Sequence, residues 1–194
     1  MRTNLALLIT LSCVAAHATA QAVDTLNLAA VGTDPHWKVS GRTAAVVDMT
    51  DEQWFSVLDV TLTGTMRMTR AALRHMGERG AGAIVNNASV VGWRAQAGQT
   101  HYAAAKAGVM ALTRCAAIEA AARNVRVNAV APSLAMHPFL AKVTTEELLA
   151  ELETREAFGR AAEPWEIANV IIFLASDLAS YMTGEIVSVS SQHP

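Results

Sequence analysis

Three short β-rich runs separated by long helical patterns set the strongest limit on how this chain can fold. The runs are Ala83-Ile84-Val85-Asn86-Asn87, Val125 to Val130, and Glu185 to Ser190. An alanine-dense stretch from about Thr100 to Ala122 joins the first to the second. Thr144 to Phe158, and then a helix opened by Pro164 as its first residue, join the second to the third. A helix between successive strands returns the chain to the same end of the sheet, so the strands run parallel with right-handed crossovers. The pattern predicts an α/β fold. Ahead of the first run, Thr50-Asp51-Glu52-Gln53 has the form of a capping box. Trp54, Val57, Leu58, Leu62, Met66, Met68 and Leu73 recur behind it at roughly helical spacing, which predicts one long helix to about Met76, with Gly80 and Gly82 bracketing its end. The Met66/Met68 region reads as helix core or subunit contact.

Composition narrows the class. A hydrophobic fraction of 52% with 16% charged residues fits a chain with a real core. A net charge of -2, with no basic run, gives no sign of a nucleic-acid partner, and none is expected. The six histidines show no metal-ligand spacing. Cys13 and Cys115 form no disulfide framework, and Cys115, in an alanine-rich helix, reads as a small buried residue. Residues 1–41 stand apart as an atypical leader. Arg2, the apolar run Leu5 to Ala16, and Ala18-Thr19-Ala20 before Gln21 follow the grammar of a secretory signal, which would allow export. That run falls short of the roughly 20 residues a membrane span needs. The other reading is an apolar start from a displaced initiation site or a shifted reading frame.

The chemistry centres on Tyr102-Ala-Ala-Ala-Lys106. Residues four apart share a helix face, with about 5–6 Å between Cβ atoms. A free tyrosine titrates near 10, and an ammonium beside it favours the phenolate, making the pair a candidate general acid/base at an alcohol oxygen. Ser89 lies thirteen residues earlier, just past the strand Ala83–Asn87. Ligands of open parallel sheets bind outside the carboxyl ends of the strands, where a serine hydroxyl can meet a substrate oxygen. Trp93 reads as a packed rim aromatic and His101 as a surface histidine.

Several segments, taken in order, resemble motifs of the short-chain dehydrogenases/reductases: Asn87-Ala88-Ser89, Tyr102-Ala-Ala-Ala-Lys106-Ala-Gly108, Val125 to Pro132, Gly159-Arg160, Phe173 to Asp177 and Ser180 to Gly184. The resemblance covers about 46–191. It implies an incomplete Rossmann-like, doubly wound parallel sheet holding family strands five to seven. It also implies an NAD(P)-dependent oxidoreductase interconverting a secondary alcohol and a ketone. In such enzymes the tyrosine is the proton donor or acceptor, the lysine lowers its pKa and holds the nicotinamide ribose, and the serine positions the carbonyl. The matching residues are Tyr102, Lys106 and Ser89. Nicotinamide contacts would come from Pro132, Ser133 and Ala135. The resemblance further implies cytoplasmic location, a small hydroxyl or carbonyl substrate, and homo-oligomers built on the helices matching Thr50–Met76 and Thr100–Ala122. The stretch Asn86 to Gln96 is similar to relatives that handle steroid-ring fragments as coenzyme A thioesters.

The departures are specific. No Gly-x-x-x-Gly-x-Gly exists in the chain, so the loop that would hold a cofactor pyrophosphate is missing from it. NAD or NADP binding is expected to be impaired, and the residues that discriminate the two are absent. Asp24 to Ala30 is at most a faint echo of a fourth strand, which leaves Ala83–Asn87 without a partner on one side. Thr61 replaces a relay asparagine. Pro132-Ser133 replaces Pro-Gly, His137 stands where threonine is expected, and Val189-Ser190-Ser191-Gln192 replaces Val-Asp-Gly-Gly. The second functional reading is therefore a catalytically inactive, truncated remnant that acts as a dimerisation or interaction module.

Overall fold

Parallel pairing organises the molecule, as the strand and helix alternation requires. The computed structural model describes residues 7–9, 43–94, 96–136, 140 and 145–192. Four strands, β1 (Leu7–Ile9), β2 (Gly82–Asn87), β3 (Val125–Pro132) and β4 (Ile186–Val189), form one all-parallel sheet in that order. Ile84 lies opposite Val127 and Asn87 opposite Val130. The expected bare edge of β2 is not found. Leu7, Leu8 and Ile9, inside the apolar run, pair with Ala83, Ile84 and Val85. The free edge of a buried apolar strand offers a row of unpaired N–H and C=O groups, and a short extended segment satisfies them. Asp24 to Ala30 lies outside the described residues.

Helices cover both faces of the sheet. On one, α2 (Gly64–Arg79) and α3 (Thr100–Ala120) bring Ala72, Met76, Ala116, Ala117 and Ala120 onto Ile84 and Val127. On the other, α5 (Pro164–Ala175) brings Ile167, Leu174 and Ala175 onto Val85 and Val130. Consecutive strand residues point to opposite faces, so Ile84 and Val85 enter different clusters. Each such side chain, fully buried, contributes about 2 kcal/mol. Two buried asparagine side chains in this core are paired. Asn86 donates to Thr113 Oγ1 (3.0 Å) and accepts from Thr69 (3.3 Å). Asn128 donates to Met182 O (2.9 Å) and accepts from the Glu185 amide (3.0 Å).

The helix expected to run to about Met76 is present, helical without a break from Asp51 to Arg79, but it carries a π turn. Thr50 caps α1 (Asp51–Leu58) in the expected capping box, and α2 ends at Gly80 with φ of 68°. Between them Asp59–Thr63 forms a π turn, in which Gly64 N–H reaches back to Asp59 O. The extra residue shifts the phase of the buried face and places Thr61 in the interior, where its carbonyl accepts from Thr65 Oγ1 at 2.7 Å. Cys115 is exposed rather than buried. The inward stripe of α3 is Val109, Met110, Thr113, Ala116, Ala117 and Ala120, and helical phase puts residue 115 on the other side. A shorter helix, α4 (Glu146–Glu153), capped by Thr145, precedes α5.

Candidate active site

The carboxyl ends of β2 and β3 and the first turns of α3 meet at one place. Beyond Asn87 the chain turns through Ser89 into a single 3-10 turn, Val90–Gly92, and the Ser89 hydroxyl accepts from the Val91 amide at 3.3 Å. The same hydroxyl reaches Pro132 O at 3.5 Å, linking the ends of the two strands. Gly92 lets this turn lie directly on α3: a Cβ there would stand 3.0 Å from Ala107 N and 3.1 Å from the Lys106 carbonyl carbon.

Tyr102 and Lys106 face this turn. Lys106 is 4% exposed, and its ammonium donates to Asn87 O at 2.7 Å and lies 5.5 Å from the centroid of the Tyr102 ring. Ser89, Tyr102 and Lys106 are thus brought together, as the sequence predicts. Their electrostatics differ from expectation. Burial raises the Tyr102 pKa, and the neighbouring Ser89 hydroxyl only opposes that rise. Burial pushes Lys106 down to about 8. Removing water disfavours both charged forms, and this outweighs the lowering of the phenol expected from the lysine.

His101 is buried, not on the surface. Its Nδ1 accepts from the Tyr102 amide at 2.8 Å, satisfying an unpaired donor in the first turn of α3. Trp93 is half exposed at the rim, less packed than expected. His137 lies outside the described residues.

A nicotinamide cofactor can be tested against these groups. Among the described residues, one of the three Lys106 N–H donors is taken, by Asn87 O, and Asn87 Oδ1 is a buried polar atom without a partner. Both suit the hydroxyls of a ribose. Of the three residues expected against nicotinamide, Pro132 touches the site through its carbonyl, Ser133 turns its hydroxyl to Glu156 at 3.1 Å, and Ala135 bridges to Ala162. No group of three or more metal-ligating side chains occurs among the described residues.

Sequence reasoning missed Glu156. It is 4% exposed, at the edge of a cavity of about 180 Å³ whose lining includes Ser133, Arg160 and Ser191. The carboxylate accepts from Ser133 Oγ (3.1 Å), Ser191 Oγ (2.8 Å), Gln192 Nε2 (2.9 Å) and the Leu134 amide (3.3 Å). Gln192 Oε1 accepts in turn from Arg94 at 2.7 Å. The available signal was the replacement of family glycines by Ser133, Ser191 and Gln192, three side chains that can donate.

Comparison with known proteins follows the same lines. A family model described as enoyl-(acyl carrier protein) reductase matches residues 8–191. The (5R,7aS)-5-hydroxy-7a-methyl-1-oxo-2,3,5,6,7,7a-hexahydro-1H-indene-carboxyl-CoA reductase of Mycobacterium tuberculosis is 64% identical over 79% of this chain and 59% of its own length. A 3-oxoacyl-(acyl-carrier-protein) reductase of Thermotoga maritima is 43% identical over 76% of this chain and 60% of its own length. The crystal structure of a short chain dehydrogenase from Mycobacterium smegmatis superposes with a TM-score of 0.65 at 60% identity, over 78% of this chain and 55% of that one. The chain therefore spans a little over half the length of these proteins.

Proposed function

The chain belongs to the short-chain dehydrogenase/reductase family, and on that premise we propose that residues 46–191 carry the catalytic half of an NAD(P)-dependent oxidoreductase interconverting a secondary alcohol and a ketone. The observation that carries the reading is the convergence of Ser89, Tyr102 and Lys106 on one point at the ends of β2 and β3. When bound, a reduced nicotinamide would supply hydride chemistry at this site. The Ser89 hydroxyl donates a hydrogen bond to the carbonyl oxygen, and Tyr102 passes its phenolic proton to that oxygen as charge develops there. Lys106, fixed by Asn87 O, would hold the ribose of such a cofactor and stabilises the phenolate left behind. The raised pKa of Tyr102 keeps it protonated and ready to donate. The substrate we assign is a fused-ring hydroxy or keto acid carried as a coenzyme A thioester, supported by the 64% identity to the indene-carboxyl-CoA reductase.

A second reading is favoured by a specific observation. The sequence has no glycine-rich phosphate loop, while Phe55 on α1 and Ile118 on α3 are 64% and 80% exposed. Those helices would then pair with another copy, and this polypeptide would act as an interaction module. Fluorescence titration of the full chain with NADH and NADPH separates the two. Charge-assisted bonds to phosphate contribute about 1.5–3 kcal/mol each, so without several of them we expect binding no tighter than about millimolar. A micromolar dissociation constant would overturn the module reading, and ketone reduction by the chain would establish the enzymatic one.

A further inference from the structure

A buried carboxylate normally faces a cation or a metal, yet Glu156 faces four neutral donors and takes part in no salt bridge among the described residues. Those donors come from two places far apart in sequence. Ser133 and Leu134 belong to the loop after β3, and Ser191 and Gln192 to the segment after β4. The backbone strengthens the second link, since the Ala157 amide donates to Ser191 O at 2.8 Å.

Gln192 extends the network to a third place. Its amide nitrogen faces the carboxylate and its amide oxygen faces Arg94, in the loop after β2. The opposite orientation would set donor against donor and acceptor against acceptor, so the bridge has a single polarity. A positive and a negative group are thus joined through one amide.

We propose that Glu156 is a positioning residue that clamps together the loops leaving β2, β3 and β4. Those loops lie at the carboxyl end of the sheet, where the cleft of a parallel α/β protein is built. The clamp fixes Pro132, which touches Ser89, and it fixes Arg94, five residues beyond Ser89. Its consequence for catalysis, a fixed distance between the serine turn and the β3 loop, rests on the proposed enzymatic reading. The clamp itself does not.

Amide hydrogen exchange on the full chain tests it without any turnover assay, so a failed cofactor titration leaves the result standing. Glu156→Gln is expected to speed exchange in 89–94 and 132–136 by roughly tenfold, the loss of about one hydrogen bond's net contribution, while 83–87 and 125–130 stay unchanged. Glu156→Asp, which keeps the anion, is expected to recover part of that protection. Gln192→Ala should affect 89–94 alone, and Ser133→Gly 132–136 alone. Uniform acceleration across the sheet in Glu156→Gln, or unchanged exchange of 89–94 in Gln192→Ala, overturns the proposal. Should Glu156→Gln fail to fold, the Gln192 and Ser133 variants decide it.

Discussion

Lys106 and Glu156 are equally hidden from water, each 4% exposed, and they sit at the same end of the sheet, yet their surroundings are opposite. Glu156 accepts four hydrogen bonds. Among the described residues Lys106 makes one, to Asn87 O, and burial moves its pKa down to about 8. A charge whose bonds are all made holds a shape. A charge left with spare donors is costly until a ligand supplies the missing partners, which is the signature of a group kept for chemistry.

The sharpest way to break this contrast is at the phenol beside the lysine. In an active form, Tyr102→Phe should lower turnover by about 10²–10⁴-fold, the usual worth of a positioned general acid, while circular dichroism stays unchanged. Retained turnover would remove Tyr102 from the chemistry. Next comes stability against pH. The folded-state pKa of Lys106 lies below its ordinary 10.5, so between about 8 and 10 the unfolded chain binds more protons and stability should rise with pH. The raised Tyr102 pKa reverses the slope above 10, where the folded chain keeps the proton longer. Denaturant titrations should show Lys106→Met abolishing the rise and gaining about 2–3 kcal/mol near pH 7, if the methionine packs as well as the lysine stem. Glu156→Ala should act in the opposite direction, losing about 1–3 kcal/mol because buried donors are stranded. A gain there would mean that the two sites do not differ. The smallest effect is expected at Gln192→Ala, about 0.5–1 kcal/mol by the same measurement, since it lies near the surface and water can replace it.

What could be read in the sequence was local or periodic. Helical spacing put Tyr102 beside Lys106, the strand pattern put Ser89 at a strand end, and cap chemistry located Thr50 and Pro164. What escaped was nonlocal or ambiguous in period. Three apolar residues, Leu7 to Ile9, look alike in a leader and in an edge strand. One inserted residue makes the π turn at Asp59–Thr63 and leaves no compositional mark. In α3 the abundance of alanine, tolerated on either face, hid which side was inward, so Cys115 and His101 were placed on the wrong ones. The partners of Glu156 lie about 20 and 35 residues away along the chain, beyond the reach of any periodicity.

Gly92 carries one more consequence. The serine turn rests on the main chain of Lys106 and Ala107 and on the end of the Met110 side chain, 2.8 Å from where a Cβ would stand. A hydrogen atom thus serves as the gauge block for the reacting groups. Even one added methyl would act as a shim of a few tenths of an ångström, levering the hydroxyl away from the amine and phenol together. Tolerances in this centre are therefore written partly by an atom group that the chain leaves out.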